Sequence, residues 1–235
     1  MSPSRLLVID PDPSLRHLLS RYLGQRGYHV DLAESAQQAR QIFARANPDL
    51  VILDLNLPDG DGCQLCEQLQ QGTGVFVLML SRRCDEADMV AGLTRGADDF
   101  ITKPFSLAAL EAHIQAILRR KRIVEAAQQQ CIEFERLVID PVRRAVEFDG
   151  EAVPLTALEF DLLHFLASHP GRVWRRTELI QEVWEYEYVG DQRVVDVHIG
   201  QIRKKLERDP SHPSVIQTVR GVGYKFEQPE LPEAG

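Results

Sequence analysis

The chain is predicted to be α/β, with two domains in series: a (βα)5 doubly wound parallel sheet, then a smaller unit of strands, three helices and a closing hairpin. Three observations predict this. Five short aliphatic runs alternate with five amphipathic stretches over residues 1–120. The rhythm then changes, over 133–228, to turn-rich alternation followed by helical periodicity. The length, 235 residues, exceeds one ordinary domain, and 44% hydrophobic with 26% charged content supplies apolar mass for two cores.

In chain order, the strand candidates of the first domain are RLLVI, YHVDLA, DLVILD, VFVLML and DFITK. Between them lie SLRHLLSRYL, SAQQARQIFARA, CQLCEQLQ, DMVAGLTRG and LAALEAHIQAILRR, each with helical spacing of apolar residues. Gly27, Pro48, Gly72 and Gly96 punctuate the helix-to-strand returns. Residues 121–132, KRIVEAAQQQCI, are polar and weakly patterned, and read as a linker or a helical extension. FERLVID, RRAVEFDG and EAVPL, with turns at Asp140-Pro141 and Asp149-Gly150, predict a small antiparallel sheet. TALEFDLLHFLASHPG begins with a capping box, Thr156 and Glu159, and stops at Pro170-Gly171. RRTELIQEVW is a second helix, QRVVDVHIGQIRKKLE a third, and VIQTVRGVGYKFE a hairpin turning at Arg220-Gly221. This order is that of a winged helix-turn-helix, and 229–235 is expected to be a flexible tail.

Composition excludes several classes. No apolar run reaches the ~18 residues that cross a bilayer. Asp10 interrupts the first apolar run too early for a signal peptide, so a cytoplasmic location without membrane partners is expected. Cys63 and Cys66 form a CQLC pair, but Cys84 and Cys131 do not make the second pair that zinc would need. The pair reads instead as the start of an amphipathic helix, both thiols one turn apart on its apolar side, with a regulatory thiol as the alternative. The seven histidines show no HxxxH or HxH spacing. A net charge of −8 argues against a wholly basic nucleic-acid binder. Yet from Arg193 to Lys225 seven Lys/Arg stand against three acids, a local net of +4.

Open α/β sheets bind ligands beyond the carboxyl ends of their strands. There the first strand delivers Asp10, with Asp12 just beyond; the third delivers Asp54, the fourth Ser81 and the fifth Lys103. Carboxylates at one rim favour a hard cation such as Mg²⁺, and a lysine beside it neutralises a phosphoryl group. A central carboxylate can then be the nucleophile that forms an aspartyl phosphate, and Asp54 is the candidate. An EF-hand at DLNLPDGDG fails, because Pro58 takes a ligand position and Leu65 stands where Glu is required.

IDPDPSLR, DLVILDLNLPDGDG, MLSRR and GADDFITKPF resemble the receiver domain of two-component response regulators. LTALEFDLLHFLASHPGRVWRR through VVDVHI, IRKKLE and QTVRGVGYKF resembles the winged-helix output domain of the OmpR/PhoB subfamily. The resemblance implies that Asp54 receives phosphate from a sensor histidine kinase, with Mg²⁺ held by Asp10, Asp54 and the backbone of Asn56. It implies that Lys103 grips the phosphoryl group, Ser81 turns its hydroxyl toward it, and Phe100 is the inward-turning switch aromatic. It also implies a homodimer through the fourth-helix, fifth-strand, fifth-helix face. Here the paired basic and acidic positions of that face are Ala91 and Ala109, and an arginine is replaced by His113, while Asp98 and Asp99 remain; weaker dimerisation is expected. Pro11 stands where the family places the acid that binds Mg²⁺ directly, so weak metal binding is expected unless Asp12 turns in to substitute.

On the third helix of the second domain, Val195, Ile199, Ile202 and Leu206 share a stripe that faces the core. Arg193, Val197, Gly200 and Lys204 lie opposite, flanked by Asp196 and Gln201, a face suited to a major groove of double-stranded promoter DNA. The candidate contacts are Arg193, Val197, His198, Gln201, Arg203 and Lys204, with Thr218 and Arg220 in the hairpin. Arg193 and Lys204 suit phosphates or guanine edges, Gln201 adenine, Val197 a thymine methyl, and Arg220 the minor groove. Gly200 and Gln201, where the family commonly has basic residues, point to altered or weaker recognition. Trp174 and Trp184 read as core, and EYEYVGD (185–191) resembles the segment that contacts RNA polymerase in this family. The function expected is a phosphorylation-modulated DNA-binding transcription regulator, not an enzyme. The alternatives are a constitutive DNA binder whose receiver is a protein-interaction module, and an Mg²⁺-dependent phosphohydrolase built on Asp54. Residues 133–228 are expected to fold and bind DNA alone.

Overall fold

A computed structural model describes residues 3–70, 73, 75–81, 86–126, 131–184, 192–207 and 209–229, with the backbone alone at 86–88 and 120–126. Residues 185–191 and 230–235, Gly72, Cys84 and Arg208 lie outside the described residues. The chain divides into two compact units, Met1–Arg119 and Arg120–Gly235.

In the first unit, strands β1 (Arg5–Ile9), β2 (His29–Ala33) and β3 (Leu50–Asp54) precede two short strands, β4 (Asn56–Leu57) and β5 (Gly60–Asp61). Strands β6 (Phe76–Ser81) and β7 (Asp99–Thr102) complete a five-stranded parallel sheet ordered β2-β1-β3-β6-β7. β3 and β6 are buried at every residue and β1 at all but Arg5, as near-continuous aliphatic runs covered on both faces must be. The crossovers are helices α1 (Pro13–Gly24), α2 (Ala36–Ala46), α3 (Gly62–Gln70) and α4 (Glu86–Thr94), and α5 (Leu107–Ala126) follows the last strand. α5 runs six residues into the 121–132 segment, as a helical extension. Local chemistry sets the helix starts. Asp12 caps α1 with Pro13 in its first turn, and Ser35 caps α2. Asp59, in the turn between β4 and β5, accepts from Ala36 N and Gln37 N; these two bonds hold its carboxyl below the usual range.

The second unit opens with antiparallel strands β8 (Ile132–Glu133), β9 (Leu137–Asp140), β10 (Ala145–Phe148) and β11 (Glu151–Ala152). Asp149 and Gly150 both have positive φ, 55° and 79°, which a two-residue hairpin requires. α6 (Ala157–Ala167) carries the expected capping box: Thr156 N donates to Glu159 Oε2, and Glu159 N to Thr156 Oγ1. β12 (Val173–Arg175), α7 (Arg176–Leu179) and a single π turn to Trp184 come next, then α8 (Arg193–Leu206) and the hairpin β13 (Ile216–Val219) and β14 (Gly223–Phe226). β12 adds to the hairpin, giving the order β12-β14-β13. Leu158, Leu162, Leu163 and Leu166 of α6 are buried, as are Val195, Ile199 and Ile202 of α8, with Phe226. Trp174 and Trp184 are both core, as their context predicted.

Candidate phosphoryl site and nucleic-acid interface

The carboxyl edge of the parallel sheet is where its strand order reverses, with β1 flanked by β2 and β3. Asp10 follows β1 directly, Asp54 and Ser81 end β3 and β6, and Lys103 follows β7, at a cis Lys103–Pro104 peptide. Asp10, Asp54 and Ser81 are all buried. The structure brings Lys103 Nζ to 2.5 Å from Asp10 Oδ2 and into contact with Asp54 Oδ2. The lysine is thus shared by two buried carboxylates from different strands. Asp54 Oδ1 accepts from Asn56 N at 2.7 Å, and Lys103 N donates to Ser81 O at 2.6 Å. Asn56 is exposed beside this rim and Phe100 is half-buried.

Asp12 does something else. Its Oδ1 accepts from Ser14 N at 2.8 Å and Leu15 N at 3.4 Å, so its carboxylate caps α1. Its backbone N–H donates to Asp10 Oδ1 at 2.9 Å, closing a turn over Pro11, whose fixed φ suits the middle of a turn. The structure thus gives Asp12 the role of helix cap, through Oδ1. The buried carboxylates at the rim are those of Asp10 and Asp54. Two carboxylates fit a magnesium ion that keeps several waters, with one anionic ligand fewer than a three-acid rim would give.

On α8, Arg193 and Lys204 are exposed, and Val197, Gly200 and Gln201 half-exposed. Thr218 and Arg220 are exposed on the hairpin. His198 is fully buried, with its ring 6.0 Å from that of Trp184, which removes it from any groove-facing surface. Its assignment as a DNA contact is corrected: the buried arc of α8 is wider than the stripe and also takes in Val194. Arg203 is half-buried, and its guanidinium donates to Ile216 O and Thr218 Oγ1, tying α8 to β13. Lys205 pairs with Glu159, and Lys225 with Glu227. Among its described residues the +4 segment exposes Arg193, Lys204 and Arg220, while Arg203 and Lys205 are bound to other elements of the fold and Lys225 to Glu227.

Sequence reasoning missed the role of Asp196, which it set beside the outer face. Its Oδ1 accepts from Arg176 Nε and Tyr224 OH, both at 2.7 Å, locking α7, α8 and β14 together. Burial, and then the bond to Asp196, push the Tyr224 phenol up to about 12. Between the ordinary tyrosine pKa, about 10, and that value the unfolded chain ionises while the folded one does not. The contribution is complete below the lower value and is lost as pH rises through the upper one. Tyr224→Phe is expected to flatten the alkaline fall in stability and to cost ~1 kcal/mol at neutral pH. Denaturant titrations at pH 8 and pH 11 measure both.

Residues 6–115 match the family "Response regulator receiver domain" and residues 150–226 match "Transcriptional regulatory protein, C terminal". The DNA-binding response regulator MtrA of Mycolicibacterium smegmatis is 40% identical over 225 residues, spanning 96% of this chain and 97% of its own. The alkaline phosphatase synthesis transcriptional regulatory protein PhoP of Bacillus subtilis is 39% identical over 237 residues, spanning 97% and 98%. Among solved structures, a cysteine-to-serine mutant of RitR superposes with TM-score 0.82 at 30% identity over 96% of this chain and 100% of its own. The response regulator DrrB of Thermotoga maritima, an OmpR/PhoB homologue, does so with TM-score 0.51 at 30% identity over 96% and 99%. No helix among the described residues is long and apolar enough to cross a membrane. With a receiver sheet ending in buried carboxylates and a winged helix presenting an outward basic face, the chain belongs to the two-component response regulators of the OmpR/PhoB type, DNA-binding transcriptional regulators whose receiver and output domains it carries in order.

Proposed function

We propose that this protein is a cytoplasmic transcription regulator, not an enzyme, in which residues 1–120 receive the signal and 133–228 bind promoter DNA. Asp54 is the phosphoacceptor and a sensor histidine kinase the donor. The observation that carries this is the buried Asp10–Lys103–Asp54 cluster at the strand ends. Lys103 is positioned to hold the incoming phosphoryl oxygens once the Asp54 carboxylate has become an acyl phosphate, and Ser81 and Phe100 are the switch pair. Asp10, Asp54 and the backbone of Asn56 would hold Mg²⁺, which supplies charge neutralisation to the phosphoryl group. With Pro11 offering no carboxylate and Asp12 engaged as a cap, the metal is held weakly and the phosphoryl switch is blunted. Incubating the whole chain with acetyl phosphate and Mg²⁺, then mapping the label, tests this: label at Asp54, lost in Asp54→Asn, supports it, and label elsewhere refutes it.

Arg193, Val197, Gln201 and Lys204 on α8 and Thr218 and Arg220 on the wing make up the DNA-facing set, with Arg203 bracing the wing against α8. Arg193→Ala is expected to cost ~1–3 kcal/mol at a base contact, or to weaken all sequences evenly and lower the salt slope at a phosphate. Selection of DNA sites by the whole chain, repeated with the variant, distinguishes the two; unchanged affinity refutes both. RNA polymerase is the further partner expected at 185–191.

The homodimer is weaker than is usual for the family. Ala91 and Ala109 present exposed methyl groups, and Asp99 is met inside the chain by His113, with Nδ1 and Oδ2 2.6 Å apart. Sedimentation with and without beryllofluoride is expected to show little change in mass, and a tight dimer formed only with the analogue would refute this. A constitutive DNA binder is the second reading, favoured by Pro11, which offers no carboxylate at the rim, and by the capping role of Asp12.

A further inference from the structure

The CQLC pair is not explained by phosphorylation or by DNA binding. Cys63 and Cys66 sit one turn apart in the N-terminal half of α3. Their environments are opposite. Cys66 is fully buried. Cys63 is half-exposed and opens onto a cavity of about 260 Å³ that Asn56, Ser81 and Arg95 also line. Both thiols were expected on the apolar side, and only the second is. An accessible thiol followed three residues later by a buried one is the arrangement of an attacking and a resolving cysteine. Burial pushes the Cys66 thiol well up, so it is inert until an electrophilic sulfur is brought beside it.

We propose that Cys63 and Cys66 form a reversible redox site for hydroperoxides, closing an intramolecular disulfide in the first turns of α3. The Cys63 thiolate attacks the peroxide: an S–O bond forms, the O–O bond breaks, and the departing alkoxide takes a proton and leaves as the alcohol, or as water from hydrogen peroxide. The Cys66 sulfur then attacks the Cys63 sulfenic acid. An S–S bond forms, the S–O bond breaks, and the hydroxyl leaves as water with the Cys66 proton. The pair is oxidised by two electrons and the peroxide reduced by two. A small dithiol reverses the step by exchange.

The site is placed to reach the phosphoacceptor loop. Gly62 N donates to Leu55 O at 3.0 Å, and Cys63 N to Asp61 Oδ1 at 2.9 Å. A Cβ on Gly62 would stand 2.6 Å from Asp54 O and 2.7 Å from Leu55 Cα. The first turn of α3 therefore rests on the end of β3 with no slack. Helical neighbours three apart have Cβ atoms ~5–6 Å apart, and a disulfide needs ~4 Å, so closure tightens that turn by roughly 1–2 Å. The strain falls on the Asp54–Asn56 segment.

The test uses the full chain, treated with a few equivalents of hydrogen peroxide, alkylated and digested without reductant. The expected result is a loss of two mass units in the peptide spanning residues 63–66, restored by dithiothreitol, together with shifts of the Asn56 and Cys63 amide resonances. Cys63→Ser is expected to abolish the disulfide. Cys66→Ala is expected to hold Cys63 as a sulfenic acid that a cyclic 1,3-diketone traps. Should Cys66→Ala not fold, the wild-type peptide map decides alone. Oxidation confined to Cys131 or Cys84, or over-oxidation of Cys63 with Cys66 still reduced, would overturn the proposal.

Discussion

Gly223→Ala is expected to destabilise the winged-helix unit by at least ~3 kcal/mol. Gly223 opens β14 opposite Arg175 of β12. A Cβ there would lie inside the van der Waals surface of the Trp174 carbonyl oxygen, 2.9 Å from Trp174 C and 3.0 Å from Arg175 Cα. All three are backbone atoms, which no rotamer change can move aside. Relief requires β14 to leave β12, and Tyr224 would go with it. That breaks its bond to Asp196 and removes the ring over which the Arg176 and Arg203 guanidiniums lie. Gly221→Ala is the control. Gly221 has φ +73° but nothing within 4 Å of the added methyl, so only the backbone penalty of ~1 kcal/mol applies. Both tryptophans lie in this unit, so urea titration of the whole chain by tryptophan fluorescence follows it selectively. Equal midpoints for the two variants would show that β14 yields more easily than its backbone contacts imply.

The parts of the fold legible in the sequence were those that a local signal determines. Aliphatic runs ending in Asp10, Asp54, Ser81 and Lys103 place their ends at one rim because parallel strands align their carboxyl ends, whatever the details of packing. Thr156 with Glu159, and Asp149 with Gly150, are local solutions to local backbone problems, and both formed as expected. Partner-dependent features were not legible. The three-residue strand β12 exists because β14 offers it a free edge. Periodicity located the centre of the buried face of α8 but not its width, which packing sets, and so His198 was placed outside. Charge alone does not separate a cation that meets DNA from one that braces the fold. Arg203 and Asp196 became structural through Arg176, Ile216, Thr218 and Tyr224, each at least thirteen residues away in the chain. Asp12 is intermediate. Asp-Pro-Ser before a helical run is a capping signal as well as an acidic one, and the cap is what formed.

Pro11→Asp is expected to tighten Mg²⁺ binding about tenfold or more, ~1.4 kcal/mol, and to speed labelling of Asp54 by phosphodonors. The reason is a shortage of anionic ligands rather than of space. Asp10 and Asp54 hold Lys103 between them, so the two carboxylates and one ammonium already leave only a single net negative charge to attract a dication. A third carboxylate at 11 would double it. Asp12 is one residue too late and is engaged by Ser14 N and Leu15 N, where it satisfies the first turn of α1. The same geometry assigns the paired variant the opposite outcome. Asp12→Ala is expected to leave Mg²⁺ affinity unchanged and to lower receiver stability by ~1 kcal/mol through loss of the cap. Mg²⁺ titration followed by the Asn56 amide resonance reads the affinity of each variant, and urea titration the stability. If Asp12→Ala weakened the metal and Pro11→Asp did not strengthen it, Asp12 would be the missing ligand, and the receiver would carry a complete phosphoryl switch.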